Sequence, residues 1–409
     1  MIEGKLTKEL IYKQEDAFVG EINKIIPSKR YLNLLKYFIA WFDRDIDKFI
    51  TKEYLLEIYG ISLSASDEFS YICPNYQRLL NYHAAHDIGH ALQDYKMVGC
   101  TSFSAWGNKT QDSSLIVGRN FDFYVGNEFA KEKIVCFVKP DKGYKFMYIT
   151  WGGMIGVVSG MNEKGLTVTI NAAKSQIPYE AATPISIVAR EILQYAKNIQ
   201  EAYIIAKKRK TFVSESIMIG SAEDNKTTII EKSPFKIGTY SSDTNFIICT
   251  NHYNGKTFKN DKSNIENINT TASYYRFNRV KQLINKYDKI NVSNTAEILR
   301  NQSGLDNKNI GMSNEKAVNQ LIAHHSIIFN ATKKIVWVST SPYQLGQYIA
   351  YDLNKIFKNI AVIEKDTEIY EKQLIIPADT FLFSNNYKQF LNYKKLKEAI
   401  KQNLSLIHI

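Results

Sequence analysis

The chain has 409 residues, of which 44% are hydrophobic and 12% aromatic, enough to build a large core, which argues against a disordered chain. Its 52 Lys and Arg residues exceed its 41 Asp and Glu residues, which gives a formal net charge of +11. The basic residues are spread along the chain without a nucleic-acid-binding signature, so we expect no nucleic-acid partner and at most weak membrane contact.

The first 99 residues predict a helical segment. Apolar residues recur at spacings of three and four between residues 31 and 59, as they do on one face of a helix. A second helical pattern covers residues 76–96. Because the pattern changes after residue 99, we divide the chain into a helical N-terminal segment, 1–99, and a larger domain, 100–409.

Three histidines lie on the second predicted helix, His83, His86 and His90. They could share one helical face and bind a metal, with Asp87 and Asp94 adding carboxylates. One straight helix seldom completes a coordination shell, and an HExxH motif is absent, so packing and hydrogen bonding are the alternative. We expect neither a metal nor a cofactor.

From residue 100 onward, short runs of strand composition alternate with turn residues. The predicted strands are 113–121, 134–138, 145–151, 155–160, 166–172, 216–219, 227–231, 246–250, 325–330 and 335–339. The predicted helices of this region are 184–195, 200–208, 272–285, 295–301 and 393–402. Strands that come in groups, without regular βαβ alternation, predict an α+β fold of two mainly antiparallel sheets with helices on the outer faces.

A candidate nucleophile and its positioning groups follow one another in this region. Gly99 directly precedes Cys100, and a Gly-Arg-Asn-Phe-Asp run places Arg119 and Asp122 at the end of a predicted strand. A Met-Asn-Glu-Lys-Gly-Leu run covers residues 161–166, and a Thr-Asn-His run covers residues 250–252. Each motif is weak by itself, but the four motifs in this order are specific.

This ordered set resembles the N-terminal-nucleophile (Ntn) amide hydrolases. The similar branch contains penicillin acyltransferases, acid-ceramidase-like amidases and bile salt (choloylglycine) hydrolases, which are peptidase C45-like. The resemblance covers residues 100 to about 351. It implies a four-layer αββα sandwich, preceded here by the helical segment.

The resemblance also implies that the chain cuts itself between Gly99 and Cys100, giving chains of 99 and 310 residues. The new α-amine of Cys100 would then serve as the base, because an α-amine has a pKa of about 7.7–8.0. Asp122 would orient this amine, and the charge of Arg119 would favour the thiolate. The alternative is that Arg119 and Asp122 form an ion pair on a surface strand.

Three further residues are implied by the same resemblance. Asn171 and Asn251 match positions that build the oxyanion hole in relatives, although an asparagine that ends a strand is also an ordinary turn former. Arg276 matches an arginine that bile salt hydrolases keep near the nucleophile, and its alternative is a solvated helix face. The sequence leaves these alternatives open.

We therefore predict an enzyme, a self-processing cysteine amidase that hydrolyses a small-molecule, non-peptide N-acyl amide through a Cys100 acyl-thioester. Transfer of the acyl group to an amine would use the same residues, and a non-catalytic lipid-binding relative is a third possibility. The cleaved N-terminal chain is an expected partner, whereas the acyl chain, the amine and the oligomeric state stay open. No secretory leader is recognisable, so we expect a cytoplasmic protein unless the true start lies upstream.

Overall fold

A computed structural model describes residues 2–25, 28, 30, 37, 45–92, 99–123, 126–175, 182–360 and 367–407. The predicted α+β class is confirmed, because two antiparallel sheets are covered by helices. Most of residues 31–44, where the first helical pattern begins, lies outside the described residues. Residues 93–96, including Asp94, lie outside them as well.

The first sheet carries the candidate nucleophile at one end. Its strands, in spatial order, are β10 (Phe246–Cys249), β1 (Thr101–Gly107), β2 (Ser113–Phe121), β11 (His325–Asn330), β12 (Ile335–Ser339) and β13 (Tyr348–Asp352). All neighbouring strands are antiparallel. Strands β1 and β13 were not predicted from the sequence, and the strand predicted at 246–250 ends one residue beyond β10.

The second sheet follows the order of the chain. It contains β3 (Lys133–Val138), β4 (Phe146–Trp151), β5 (Ser159–Asn162), β6 (Leu166–Ala172), β7 (Glu215–Ser221), β8 (Lys226–Lys232) and β9 (Ile237–Ser241). All of these pairs are also antiparallel. The predicted strand at 155–160 is wrong over its first four residues, since residues 155–158 form no strand, and β9 was not predicted.

Helices precede, separate and follow the strands. Among the described residues they are α1 (Ile2–Leu6), α2 (Lys8–Ile25), α3 (Lys52–Ser62), α4 (Asn75–Leu92), α5 (Gly126–Phe129), α6 (Ile185–Tyr195), α7 (Ile199–Lys208), α8 (Lys262–Thr270), α9 (Ser273–Lys286), α10 (Val292–Leu299), α11 (Leu353–Asn359) and α12 (Asn385–Ile407). None of these helices combines the length and the hydropathy that a membrane span requires.

The two sheets pack face to face through apolar side chains, among them Val117 and Phe329 of the first sheet and Met147 and Met218 of the second. Helices α6 and α7 cover the outer face of the second sheet, and α9 and α10 cover that of the first. These layers form the predicted αββα sandwich.

The N-terminal helices share a core with the sandwich. Ile11, Tyr54 and Leu79 are buried in the same apolar cluster as Cys100 and Ile185. Burial of large apolar side chains contributes about 1.5–3 kcal/mol each. The segment therefore packs as an additional helical layer over α6 and the second sheet.

Candidate active site

The pairing of β1 with β2 brings the first candidate residues together. Thr101 pairs with Asn120, and Ser102 pairs with Arg119, so Cys100, directly before β1, lies beside the end of β2. The backbone N–H of Gly99 donates to the carbonyl oxygen of Asp122 at 2.9 Å and extends this pairing by one further bond. Residues about twenty positions apart in the chain thereby become neighbours.

Cys100 is buried, with its side chain in contact with a buried guanidinium. The Nη2 atom of Arg119 lies 3.7 Å from Sγ of Cys100. Burial raises the pKa of the thiol to about 11, and the charge of Arg119 acts in the opposite direction. In the uncut chain Cys100 is thus a protonated thiol at neutral pH.

Arg119 is held in place by acceptors in and directly beside the second sheet. Its Nη1 atom donates to the carbonyl oxygen of Val158 at 2.8 Å and to Oγ of Ser159, and Nη2 donates to the carbonyl oxygen of Ile170 at 2.5 Å. The guanidinium also lies 4.4 Å from the ring centroid of Phe121. Arg119 is fully buried, so the alternative of an exposed ion pair does not describe it.

Asp122 is a buried carboxyl group beside two arginines. Among the described residues, neither of its carboxyl oxygens has a hydrogen-bond partner. Burial raises the pKa of Asp122 to about 7, and Arg276 and Arg119 act in the opposite direction. A buried acceptor without a donor is costly, so this carboxyl group is suited to a donor that the described residues do not supply.

Arg276 reaches the candidate cleavage site from α9. Its Nη1 atom donates to the carbonyl oxygens of Gly99 and Cys100, both at 2.7 Å, and to Oγ1 of Thr101 at 2.9 Å. Its Nη2 atom donates to Oδ1 of Asn251 at 2.8 Å. Arg276 is buried, so the alternative of a solvated helix face is excluded.

The side chains of Asn171 and Asn251 each form a hydrogen bond between the two sheets, and the two bonds run in opposite directions. Nδ2 of Asn171 donates to the carbonyl oxygen of Cys249 at 3.2 Å, and Nδ2 of Asn251 donates to that of Ala172 at 3.0 Å. Oδ1 of Asn171 also accepts from Oγ of Ser102 at 2.8 Å. Each amide nitrogen carries a second hydrogen, and among the described residues neither nitrogen donates a second hydrogen bond.

Two residues near Cys100 were missed by the sequence analysis. Gln320, in the loop before β11, donates from Nε2 to the carbonyl oxygen of Gly99 at 2.7 Å. Glu215, at the start of β7, is fully buried and acts electrostatically on both Cys100 and Arg119, and burial raises its pKa. Neither residue lies in a recognisable motif.

The structure gives a steric reason for a glycine at position 99. Its backbone is not in the left-handed region, so no unusual φ angle requires glycine here. A Cβ atom at this position would instead overlap the side-chain amide of Gln320. A side chain at position 99 would therefore displace that amide.

His83 is bonded through both ring nitrogens. Nδ1 contacts the carbonyl oxygen of Leu79 at 2.8 Å, and Nε2 accepts from the backbone N–H of Ile155 at 3.0 Å. Burial lowers its pKa to about 4, so the ring is neutral near pH 7. His83 would have to lose a hydrogen bond to bind a metal, which favours the structural interpretation.

Elsewhere on that helix, Oδ2 of Asp87 accepts from the backbone N–H of Ile185 at 2.8 Å. The side chains of His86 and His90 lie outside the described residues. Within the part of the chain that the structure describes, no group of three or more His, Cys, Asp or Glu side chains is arranged to hold a metal ion.

Comparison with known families gives one match over more than half of the chain. The model of the acyl-coenzyme A:6-aminopenicillanic acid acyl-transferase family matches residues 108–341. This range contains Arg119, Asp122, Asn171, Asn251 and Arg276.

Two curated proteins are similar over shorter stretches. An uncharacterized protein of Archaeoglobus fulgidus is 26% identical over 137 residues, which cover 32% of this chain and 22% of that protein. Protein dcd1B of Dictyostelium discoideum is 22% identical over 203 residues, which cover 49% of this chain and 38% of that protein. The chain therefore spans less than half the length of both relatives.

Three solved structures illustrate the structural likeness. The Caenorhabditis elegans N-acylethanolamine-hydrolyzing acid amidase ortholog has a TM-score of 0.39 and 17% identity, covering 57% of this chain and 93% of its own. A variant of the Clostridium perfringens conjugated bile acid hydrolase has a TM-score of 0.44 and 15% identity, covering 66% and 95%. Penicillin V acylase from Agrobacterium tumefaciens has a TM-score of 0.39 and 16% identity, covering 63% and 87%.

Proposed function

The chain belongs to the acyl-coenzyme A:6-aminopenicillanic acid acyl-transferase family, and from this premise we propose that it is a self-processing Ntn cysteine amidase. In this proposal the chain cuts itself between Gly99 and Cys100 and then cleaves a small N-acyl amide through a Cys100 thioester. The observation that carries the proposal is the buried carboxyl group of Asp122, which has no hydrogen-bond partner among the described residues and lies beside Cys100.

The electrostatics of the uncut chain support a need for processing. The nitrogen of Cys100 is an amide, which is not a base, and the pKa of its thiol is raised to about 11 by burial. Cleavage would convert the amide into an α-amine with a pKa near 7.7–8.0, able to take the thiol proton. The resulting ammonium group would supply the donor that Asp122 lacks.

The proposed turnover uses these groups in sequence. The Sγ atom attacks the acyl carbon of the substrate while its proton passes to the α-amine of Cys100. The second amide hydrogens of Asn171 and Asn251 are available to stabilise the oxyanion. The C–N bond then breaks, the leaving amine takes the proton from the Cys100 ammonium group, and water hydrolyses the thioester to the free acid.

We also propose a role for each of the two segments of the chain. Residues 1–99 would become a small chain that stays bound to the catalytic domain, 100–409. Acyl transfer is the second candidate function, since the family description names an acyl-transferase and an amine can replace water as acceptor. The residues required of the protein are the same in both reactions.

The test is turnover by the purified full-length protein of N-acyl amides that differ in acyl length and in amine. We expect release of acid and amine, a thioester adduct on the Cys100 chain in rapidly quenched samples, and no release by Cys100→Ala. Cys136→Ala is the matched control, because Cys136 lies on β3 at the edge of the second sheet and should leave turnover unchanged.

Addition of free amines would separate the two reactions, since an acyltransferase would form a new amide at the expense of the acid. Turnover by Cys100→Ala would contradict the proposal. A folded, cleaved protein that turns over no amide in the panel would contradict it too, and would favour a non-catalytic lipid-binding relative.

A further inference from the structure

The carbonyl oxygen of Gly99 accepts hydrogen bonds from two buried side chains. Nη1 of Arg276 and Nε2 of Gln320 each lie 2.7 Å from it. A carbonyl oxygen has two lone pairs, so this pair of donors satisfies it. Both donors are enclosed by the protein, where such bonds are stronger than in water.

The Gln320 amide is placed by a short anchored segment. Asn120, the neighbour of Arg119 on β2, donates from Nδ2 to the carbonyl oxygen of Val318 at 3.0 Å and to that of Leu299 at 2.8 Å. The backbone N–H of Asn319 donates to the carbonyl oxygen of Asn301 at 2.8 Å. The asparagine of the Arg-Asn-Phe-Asp run therefore holds the segment that carries Gln320.

We propose that Gln320 is the second oxyanion donor, with Arg276, of the self-cleavage step, and that its role is confined to that step. This inference rests on the proposed function above. A donor that already bonds the ground-state carbonyl strengthens its bond as negative charge develops on the oxygen. Gln320 also explains Gly99, because the amide occupies the space of a Cβ atom.

The step is an acyl shift followed by hydrolysis. The Sγ atom of Cys100 bonds to the carbonyl carbon of Gly99, and the carbonyl π electrons move to the oxygen held by Arg276 and Gln320. Collapse breaks the bond between this carbon and the nitrogen of Cys100, which receives the thiol proton. Water then hydrolyses the thioester, leaving a carboxylate on Gly99 and a free thiol and α-amine on Cys100.

The position of Gln320 confines it to processing. The carbonyl group that it contacts belongs to the residue bonded to the nitrogen of Cys100, and that bond no longer exists after cleavage. The acyl carbon of an external amide is never attached to this nitrogen, which then acts as the base. We therefore place the oxygen of the external carbonyl group at the amide hydrogens of Asn171 and Asn251, and assign Gln320 no contact with it.

The test compares self-cleavage of three full-length variants by the mass of the denatured protein over time. Gln320→Met keeps the length of the side chain and removes the donor, and we expect cleavage to slow by about 100- to 1,000-fold. Gln194→Met is the matched control, because Nε2 of Gln194 also donates to a backbone carbonyl, that of Lys142, at 2.9 Å. Gln194→Met should cleave at the wild-type rate.

Gln320→Glu adds a second measurement, the pH dependence of the cleavage rate, which a purely structural role of Gln320 would leave unchanged. Its carboxylate would repel the oxyanion, whereas its protonated form can donate a hydrogen bond. We expect this variant to cleave faster as the pH falls from 8 to 5, relative to Gln320→Met at each pH. Parallel pH profiles of the two variants would overturn the inference.

The remaining outcomes separate the inference from the function on which it rests. Wild-type cleavage together with wild-type rates in Gln320→Met would overturn the role of Gln320 alone. A wild-type protein that folds and stays whole would overturn both. In the cleaved fraction of Gln320→Met, a loss of kcat on an N-acyl amide as large as the loss in the cleavage rate would overturn the confinement to processing.

Discussion

The Nη2 atom of Arg119 lies 3.7 Å from the Sγ atom of Cys100, and both side chains are enclosed by the protein. Burial alone disfavours the thiolate, and the guanidinium is the group that acts most strongly against this effect. The charge of Arg119 thus lowers the free-energy cost of forming the nucleophile at the place where it is needed.

Replacement of Arg119 tests this relationship. We expect Arg119→Leu to raise the pKa of Cys100 by about one to three units, since that is the usual effect of losing a close opposite charge. Self-cleavage at pH 8 should then slow by about 10- to 1,000-fold, measured by denatured mass. Arg119→Lys keeps the charge, and its cleavage rate should lie between those of the wild type and Arg119→Leu. A wild-type cleavage rate in a folded Arg119→Leu protein would exclude an electrostatic role.

The raised pKa of Asp122 predicts a pH-dependent stability of the uncut chain. The pKa rises from 3.8 to about 7, so the folded state binds the proton more tightly than the unfolded state. The stability contributed by this proton is fully present below about pH 4 and is lost as the pH rises through 7. Between pH 5 and 8 the loss should be about 2–3 kcal/mol.

This loss can be measured by denaturant unfolding in a Cys100→Ala background, which prevents cleavage. Adding Asp122→Asn should remove most of the decline, because asparagine does not titrate. Adding Asp141→Asn, at an exposed loop position, should leave the decline unchanged. The pKa values of Asp87 and Glu215 are also raised, and their contribution is common to all three proteins. Equal slopes in all three would contradict the account of Asp122.

Gly99→Ala should impair self-cleavage without preventing folding. The added methyl group would overlap the Gln320 amide, so either this amide or the Gly99 carbonyl group must move. We expect cleavage to slow by at least about 10-fold, since misplacement of about 1 Å can cost 100-fold. Gly20→Ala is the control, because a Cβ atom there meets nothing within 4 Å. Cleavage by Gly99→Ala at the rate of this control would contradict the close-approach argument.

The N-terminal chain should remain bound after cleavage, because its helices make buried polar contacts with the rest of the protein. His83 accepts from the N–H of Ile155, Asp87 accepts from that of Ile185, and Glu57 forms an ion pair with Arg190 at 3.2 Å. We expect the two chains to co-elute in native size-exclusion chromatography and to separate in guanidinium chloride.

His83→Ala should weaken this association. The buried backbone N–H of Ile155 would lose its acceptor, at a cost of about 1–3 kcal/mol. Thermal unfolding of the cleaved protein should show a lower Tm. Leu56→Ala, at an exposed position of α3, should change the stability by less than about 0.5 kcal/mol. Equal Tm values for the two variants would exclude a role of His83 in holding the chain.

The sequence predicted the fold class and most strands, because apolar patterning and turn residues are local signals. It missed β1, whose buried Ser102 and Ser104 look like surface residues until their bonds to Asn171 and to the carbonyl oxygen of Ile116 are known. The short outer strands β9 and β13 were not predicted, because neither shows a clear alternation of apolar and polar residues.

The residues of the candidate site also differ in whether the sequence could predict their proximity. Arg119 and Asp122 lie one strand beyond Cys100, so their proximity follows from a single antiparallel pair. Gln320 contacts Gly99 across 221 positions of the chain, from a loop without a motif. Such a contact depends on how the whole sandwich brings its loops together, which local patterns do not encode.

The measurement that tests the central claim most directly is the mass of the denatured protein, for the wild type beside Cys100→Ala. We expect two chains of 99 and 310 residues from the wild type, with Cys100 at the new N-terminus, and one chain of 409 residues from the variant. A folded wild-type protein that stays whole, or a Cys100→Ala protein that is cut at the same bond, would contradict the account.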